Sequence, residues 1–422
     1  MNSAGDLAAR PGQGPSLQTS KIFCILPWTH LSVRWDGRVT PCCMSEHTLG
    51  SLRDSTLLEV WNSDTMRQLR LAMLQGRPHT ACARCHEYED YTSEGLRQTQ
   101  NKRLASHFSL VGSTRPDGTL SELNLPYWDI KFSNVCNLRC RYCEPAASTK
   151  WYHEGLLFPN FVKMAPDDPQ LRTPTRDPKD LWRQLEGLIP QLEEIYFAGG
   201  EPLIMDECYE ILKILVARKM FHVRLVFNTN FSVTEFKGND IMKLWDQFKD
   251  VGVGASLDAA GRRGEYIRKG LHWDQVLRNR ERMFKICPRV RFYIAPTMTV
   301  MNVLHFPDFY ADWLQRGYIV PIYGAGTLLL DPPEYRIQVL PRHLKDQVVE
   351  KYESCIEKVL KPYGQDGEGS ISRFRSILQF MEDRDMTDHL DGFRNRTRLL
   401  DESRKERFAD VFPELAELMQ AP

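Results

Sequence analysis

Cys136, Cys140 and Cys143 fall within Asn134-Val-Cys-Asn-Leu-Arg-Cys-Arg-Tyr-Cys143, a C-x3-C-x2-C triplet that follows a strand-like run. Three thiolates on one short loop suit a soft metal centre. They are one ligand short of a closed site, so a 4Fe–4S cluster held by them keeps one iron open to a ligand that is not protein. A structural zinc site normally uses four ligands in paired knuckles, and a buried free cysteine often serves only as a small hydrophobe. Three thiols this close together, with Asn137 and Arg139 between them, favour the cluster. A second set comes earlier: Cys24, then Cys42 and Cys43 at the end of Trp35-Asp-Gly-Arg-Val-Thr-Pro-Cys-Cys43, then Cys82-Ala-Arg-Cys85. Four thiolates can close a site with no opening, and here iron–sulfur and zinc both remain open readings.

The elements that must position these residues follow from composition and periodicity. The chain has 422 residues, 42% of them hydrophobic and 26% charged, which suits a globular protein with a large core and two or three structural units. Lys plus Arg and Asp plus Glu are each 55, so no net field favours nucleic acid or an anionic membrane. No apolar run reaches the ~20 residues of a membrane span. Eleven cysteines without an export signal point to a reducing cytoplasm and to metal ligation. Residues 1–20 read as a disordered lead-in and 21–97 as a compact cysteine-rich unit. Within that unit Asp36-Gly37 marks a hairpin, and Leu57–Leu74 has helical spacing with Leu58, Trp61, Leu69 and Met73 as core contacts. Residues 98–122 read as a connector.

From about residue 123 strands and helices alternate. Strand-like runs lie at Tyr127–Phe132, Ile195–Ala198, Val223–Phe227, Val251–Leu257, Val290–Ile294 and Ile319–Tyr323, and helices at Leu181–Leu192 and Cys208–Arg218. Repeated β-α-β units imply parallel strands, and the expected fold is α/β: a partial (β/α)6 TIM-like barrel over 123–325, with the N-terminal cysteine-rich cluster-binding unit before it. A charged helical segment, 326–422, follows as a cap or partner surface with no chemistry visible. Polar residues gather at the C-terminal ends of the strands, where such folds place their sites. The Pro-rich excursion at 144–180, with Ser148, Trp151 and Tyr152, is the expected substrate wall, with an ordinary cover as the alternative.

The cysteine loop after the first barrel strand, with aromatic Tyr142 before its last cysteine, resembles the radical S-adenosylmethionine (radical SAM) superfamily. Gly199-Gly200-Glu201-Pro202 resembles that family's GGEP segment, which holds the SAM amino group. Ser256-Leu-Asp258 resembles the element that meets the ribose, and Arg268 the arginine that pairs with the methionine carboxylate. Asn228 at a strand end joins Tyr142 in the implied cofactor site. Cys24, Gly37, Cys42, Cys82 and Cys85 resemble the SPASM/twitch pattern of C-x9–15-G-x4-C followed by C-x2-C. The departure is its position before the barrel. Cys43 adjoins a ligand, but Cys42 has the better spacing from Gly37.

The resemblance implies SAM, a SAM-binding 4Fe–4S cluster and a second, auxiliary 4Fe–4S cluster. It also implies reductive SAM cleavage to a 5′-deoxyadenosyl radical that abstracts hydrogen from a peptide or small-molecule substrate, ending in net oxidation, bond formation or epimerisation. A flavodoxin- or ferredoxin-type protein would supply electrons. A cysteine that returns a hydrogen atom would suit epimerisation. Of the unassigned Cys208, Cys287 and Cys355, Cys208 lies nearest the strand ends, though a buried helix residue is its plainer role. The alternative from a different class is a non-catalytic iron–sulfur electron carrier or scaffold.

Overall fold

The computed structural model describes Leu17 and residues 20–91, 95–158, 168–321 and 326–420. Most of the expected lead-in, residues 159–167 of the excursion and residues 322–323 of the last expected strand lie outside these. The N-terminal unit supplies strands β1 (His30–Val33), β2 (Arg38–Thr40) and β3 (Gly50–Ser51). Next come β4 (Tyr127–Ile130), β5 (Arg139–Cys140), β6 (Glu194–Phe197) and β7 (Arg224–Thr229), then the small hairpin β8 (Glu235–Phe236) and β9 (Asn239–Asp240). The chain continues through β10 (Val251–Ala255), β11 (Arg268–Lys269), β12 (Arg291–Ile294), β13 (Thr297–Met298) and β14 (Thr327–Leu328).

One sheet has the order β12-β10-β7-β6-β4-β1-β2-β3. From β12 to β1 all neighbours run parallel, and β2 and β3 close the edge antiparallel. The sixth parallel strand is therefore β1, from the cysteine-rich unit, in register with β4 from His30↔Tyr127 to Val33↔Ile130. The expected strand at 319 does not form over its described residues. Pro321 has no N–H to give a ladder, and β14 instead pairs with β13 outside the main sheet.

Register explains the two faces. Side chains alternate along a strand and registered neighbours share a face, so His30, Tyr127, Glu194 and Arg224 form one layer. Ser32, Asp129, Tyr196, Val226, Gly252 and Arg291 form the next, and Asn228, Gly254 and Tyr293 lie above it. That face is polar. The opposite face carries Trp128, Ile130, Ile195, Phe197, Leu225, Phe227, Val253 and Phe292, all buried in a core shared with the helices Asp206–Ala217, Trp273–Ile286 and Phe306–Gln315. A one-residue slip would bury Asp129 among these apolar groups, so the register is strongly specified.

The expected connector is structured. Helix Leu96–Arg103 and a 3-10 segment, Ala105–Ser113, occupy it. Asn101 accepts from the Ile25 N–H at 2.8 Å and donates to the Phe23 carbonyl at 2.8 Å, which ties this helix into the cysteine-rich unit. The expected helix at 57–74 divides at Asn62-Ser63, where Ser63 caps the second part by accepting from the Met66 N–H. The restart changes the helical phase: Leu58 is exposed while Trp61, Leu69 and Met73 are buried. No helix among the described residues is long and apolar enough to cross a membrane.

Candidate active site

The cysteine loop leaves the C-terminal end of β4 and returns as β5, which pairs antiparallel with β11 so that Cys140 faces Arg268. Side chains and backbone hold it on several sides. Asn134 donates to the carbonyls of Pro145 and Gln170 and accepts from the Arg172 N–H at 2.8 Å. Asn137 donates to Ser232 at 2.9 Å and accepts from Asn230 at 2.8 Å, tying the loop to the end of β7. Burial raises the pKa of all three thiols, Cys136 to about 12, and Cys140 adds to the rise of Cys136 and Cys143. Such thiols stay protonated unless a cationic centre compensates, as the iron of a cluster does. Cys140 is buried and Cys136 and Cys143 are half-buried, so the loop keeps an open side. This donor set fits a three-thiolate cluster.

Gly199-Gly200 runs against the same loop. A Cβ on Gly200 would lie 2.1 Å from the Val135 carbonyl oxygen, and Gly199 has φ +132. Only glycine fits this close backbone approach. The Glu201 carboxylate is buried, accepting from Thr229 Oγ1 at 2.6 Å and from the N–H groups of Asn230 and Leu203 at 2.7 and 3.0 Å. Burial nevertheless raises it to about 7, a setting in which a neighbouring ammonium would favour the charged form.

Asp258 and Arg268 meet each other. Arg268 grips both Asp258 oxygens, Nε–Oδ2 at 2.8 Å and Nη2–Oδ1 at 3.0 Å. Asp258 also accepts from Tyr142 Oη and from the Thr297 N–H, each at 2.8 Å. Arg268 Nη1 is turned to Cys140 Sγ at 3.7 Å. Asp258 and Arg268 therefore form one buried pair beside the cysteine loop. Asn228 is exposed, and Ser256 donates to its Oδ1 at 3.1 Å. These two stand on the polar face.

In the N-terminal unit Cys24 feels the charges of Cys42, Cys82 and Cys85 together. Among the described residues no three Cys, His, Asp or Glu sit close enough for a single ion. Cys43 goes elsewhere. Its electrostatic neighbours are Asp129 and Lys131 on the polar face, and burial pushes it up to about 12 although it is accessible. Asp129 there is buried, accepting from Ser32 Oγ and Lys131 Nζ at 2.7 Å each.

Two expectations need correction. Ser148 and Trp151 do not form a substrate wall: both are buried, donating to the Leu138 and Cys140 carbonyls at 2.7 and 2.8 Å, and they cover the cysteine loop. The C-terminal segment does take part in the site. Arg396 donates to the carbonyls of Arg141 and Cys143, and Arg141 pairs with Asp401 and Glu406 at 2.6 and 2.8 Å. Arg404 pairs with buried Glu154 at 2.8 Å. No local motif marks Arg396 or Arg404, since their partners lie about 250 residues away in sequence. Cys208 is a buried helix residue beneath Glu201.

Residues 130–311 match the family model of the Radical SAM superfamily, and residues 24–86 match that of an iron–sulfur cluster-binding domain, SPASM. No curated protein matches this chain. Among solved structures, "Native anSMEcpe with bound AdoMet and Cp18Cys peptide" is 17% identical, with 54% of this chain and 59% of that chain covered and a TM-score of 0.35. Streptococcus suis SuiB bound to S-adenosylmethionine is 12% identical over 77% of this chain and 67% of that one, TM-score 0.31. The chain thus spans about six-tenths of the first of these.

Proposed function

In a chain that carries a radical SAM domain at 130–311 behind a SPASM iron–sulfur domain at 24–86, we propose an enzyme that reductively cleaves SAM and takes a hydrogen atom from a polar substrate on the sheet's inner face. One observation carries the reading. Three thiols, Cys136, Cys140 and Cys143, sit on the loop after β4, with Gly199-Gly200 pressed against that same loop. Cys136, Cys140 and Cys143 would hold the SAM-binding cluster, and Cys24, Cys42, Cys82 and Cys85 the auxiliary one. When bound, the reduced cluster and SAM supply methionine and a 5′-deoxyadenosyl radical able to attack an unactivated C–H bond.

The chain's own residues bind and orient. Arg268, fixed by Asp258 and Tyr142, directs Nη1 toward the side of Cys140 where a carboxylate could be gripped. Glu201 accepts from an ammonium group, and the glycines let backbone approach it. Asn228 and Ser256 offer hydrogen bonds at the strand ends. Asp129, Lys131, Tyr196 and Tyr293 make the inner face suited to a peptide or a small molecule rich in polar groups, not to an apolar one. Cys43 supports the epimerisation branch over net oxidation. Its S–H can give a hydrogen atom to a substrate carbon radical, forming C–H, and the resulting thiyl returns to thiol with one electron and one proton from the external donor.

The test is anaerobic turnover of SAM by reconstituted protein with dithionite. The reading expects 5′-deoxyadenosine and methionine in equal amounts. A fully loaded protein that forms neither would be an electron carrier.

A further inference from the structure

Arg404 is the last residue of helix Leu390–Arg404, and the turn after it fixes its place. Lys405 takes a left-handed conformation, φ 55, and the Glu406 N–H donates to the Asp401 carbonyl at 2.9 Å, which closes the helix end. Glu406 then accepts from Arg141 and from Lys269 at 2.8 Å each. Arg141 follows Cys140, and Lys269 pairs with Arg139 across the β5–β11 ladder. The helix end is thereby stapled to the ladder that carries Cys140.

The Arg404 guanidinium lies buried beside the cysteine loop. Its Nε and Nη2 donate to the two oxygens of Glu154 at 2.9 and 2.8 Å. Its Cζ stands 5.2 Å from the centre of the Trp151 ring, whose Nε1–H donates to the Cys140 carbonyl at 2.8 Å. Arg139, next to Cys140, reaches the same Glu154 at 3.9 Å. One donor is left over: Arg404 Nη1 is buried with no hydrogen-bond partner among the described residues. An unmade bond of this kind is costly, and in a native fold it calls for a reason.

Cys140 supplies one. Burial raises its thiol, and Arg268 and Arg404 pull it back toward thiolate. Asp258 opposes them but is itself held by Arg268 at 2.8 Å. Of the Arg404–Glu154 pair the cation is the stronger influence on Cys140, so the neutral pair presents its positive end to the loop. A cluster gains one negative charge on reduction, and buried cations and N–H donors near its sulfurs favour that state. We propose that Arg404 raises the reduction potential of the cluster on Cys136, Cys140 and Cys143, its spare Nη1–H serving sulfur on the Cys140 side. The proposal rests on the functional reading above. The C-terminal segment then tunes the site as well as covering it.

The experiment is a redox titration of the reconstituted full chain followed by EPR, with iron counted in every sample. Wild type is compared with Arg404→Lys, with Glu154→Gln and with Arg404→Gln/Glu154→Gln, which leaves neither charge buried alone. The Cys136→Ala/Cys140→Ala/Cys143→Ala variant shows the auxiliary signal by itself, and that signal is the internal control. In the double variant the ratio of reduced to oxidised site cluster, at a fixed solution potential, should fall about tenfold, or about 59 mV for one electron. Arg404→Lys should stay near wild type, Glu154→Gln should shift upward, and the auxiliary potential should not move. An unchanged site potential in an iron-replete double variant would overturn the role of Arg404 alone, as would equal shifts at both clusters. If the double variant loses its iron, Glu154→Gln decides, and a potential there at or below wild type would overturn the proposal. Wild type with no cluster signal beyond that of the three-cysteine variant would overturn the functional reading together with it.

Discussion

Arg268 and Asp258 form a single unit at the residue scale. Asp258→Asn removes the charge that fixes the guanidinium, and Arg268→Lys removes the fork itself. Each variant should keep its iron and bind SAM about tenfold to a hundredfold more weakly, the equivalent of roughly 1.4–2.8 kcal/mol. Equilibrium binding of SAM measures this, and unchanged affinity in Asp258→Asn would show that Asp258 does not orient Arg268. Adjacent cysteines should behave oppositely. Cys42→Ala should lose the auxiliary iron, about four of eight atoms, whereas Cys43→Ala should keep all iron and still cleave SAM but stop returning hydrogen to substrate. Fixed short spacings made Cys136, Cys140, Cys143 and the pair Cys82 and Cys85 legible from sequence as candidate ligands. The placement of Cys43 near Asp129 was not, because Cys43 lies in the turn after β2, whose path only the fold decides. The bonds of Asp258 to Tyr142, Arg268 and the Thr297 N–H were not legible either, because they join four separate segments of the chain.

At the element scale the cysteine loop is held by segments before and after it in the chain. Arg404 and Glu154 are both buried, with side chains 0% and 2% exposed. Arg404→Met would leave Glu154 only Arg139 at 3.9 Å and the Ser403 hydroxyl at 3.2 Å, at a cost of about 2–3 kcal/mol. Arg404→Met/Glu154→Met should recover much of that loss. Denaturant titration of the loaded protein, scored against retained iron, reads both effects. If Arg404→Met is as stable as wild type, the C-terminal segment does not brace the loop. The β-α alternation from 123 onward was plain because buried parallel strands are short apolar runs between helical periods. The sixth strand was not, since His30–Val33 lies far from β4 in sequence and carries two polar residues on the inner face. Only pairing explains it.

For the whole molecule, β1 makes the auxiliary-cluster unit part of the sheet's inner surface. The base of that surface contains His30, stacked on Tyr127 at 4.2 Å and lowered from 6.5 to about 4 by burial. The folded state therefore holds this imidazole neutral where the unfolded chain protonates it. Its contribution is full above pH 6.5 and is lost as pH falls toward 4, on the order of 3 kcal/mol in total. The stability difference between wild type and His30→Gln should shrink over that window, and a pH-independent difference would contradict the assignment. The central claim concerns the three-thiol loop and its open iron. It is tested by iron and sulfide counts with SAM cleavage under dithionite, on anaerobically reconstituted wild type and a Cys136→Ala/Cys140→Ala/Cys143→Ala variant. The account predicts about eight iron and 5′-deoxyadenosine from wild type, and about four iron with no cleavage from the variant. Cleavage that survives the loss of the three thiols, or its absence from wild type carrying both clusters, would contradict it.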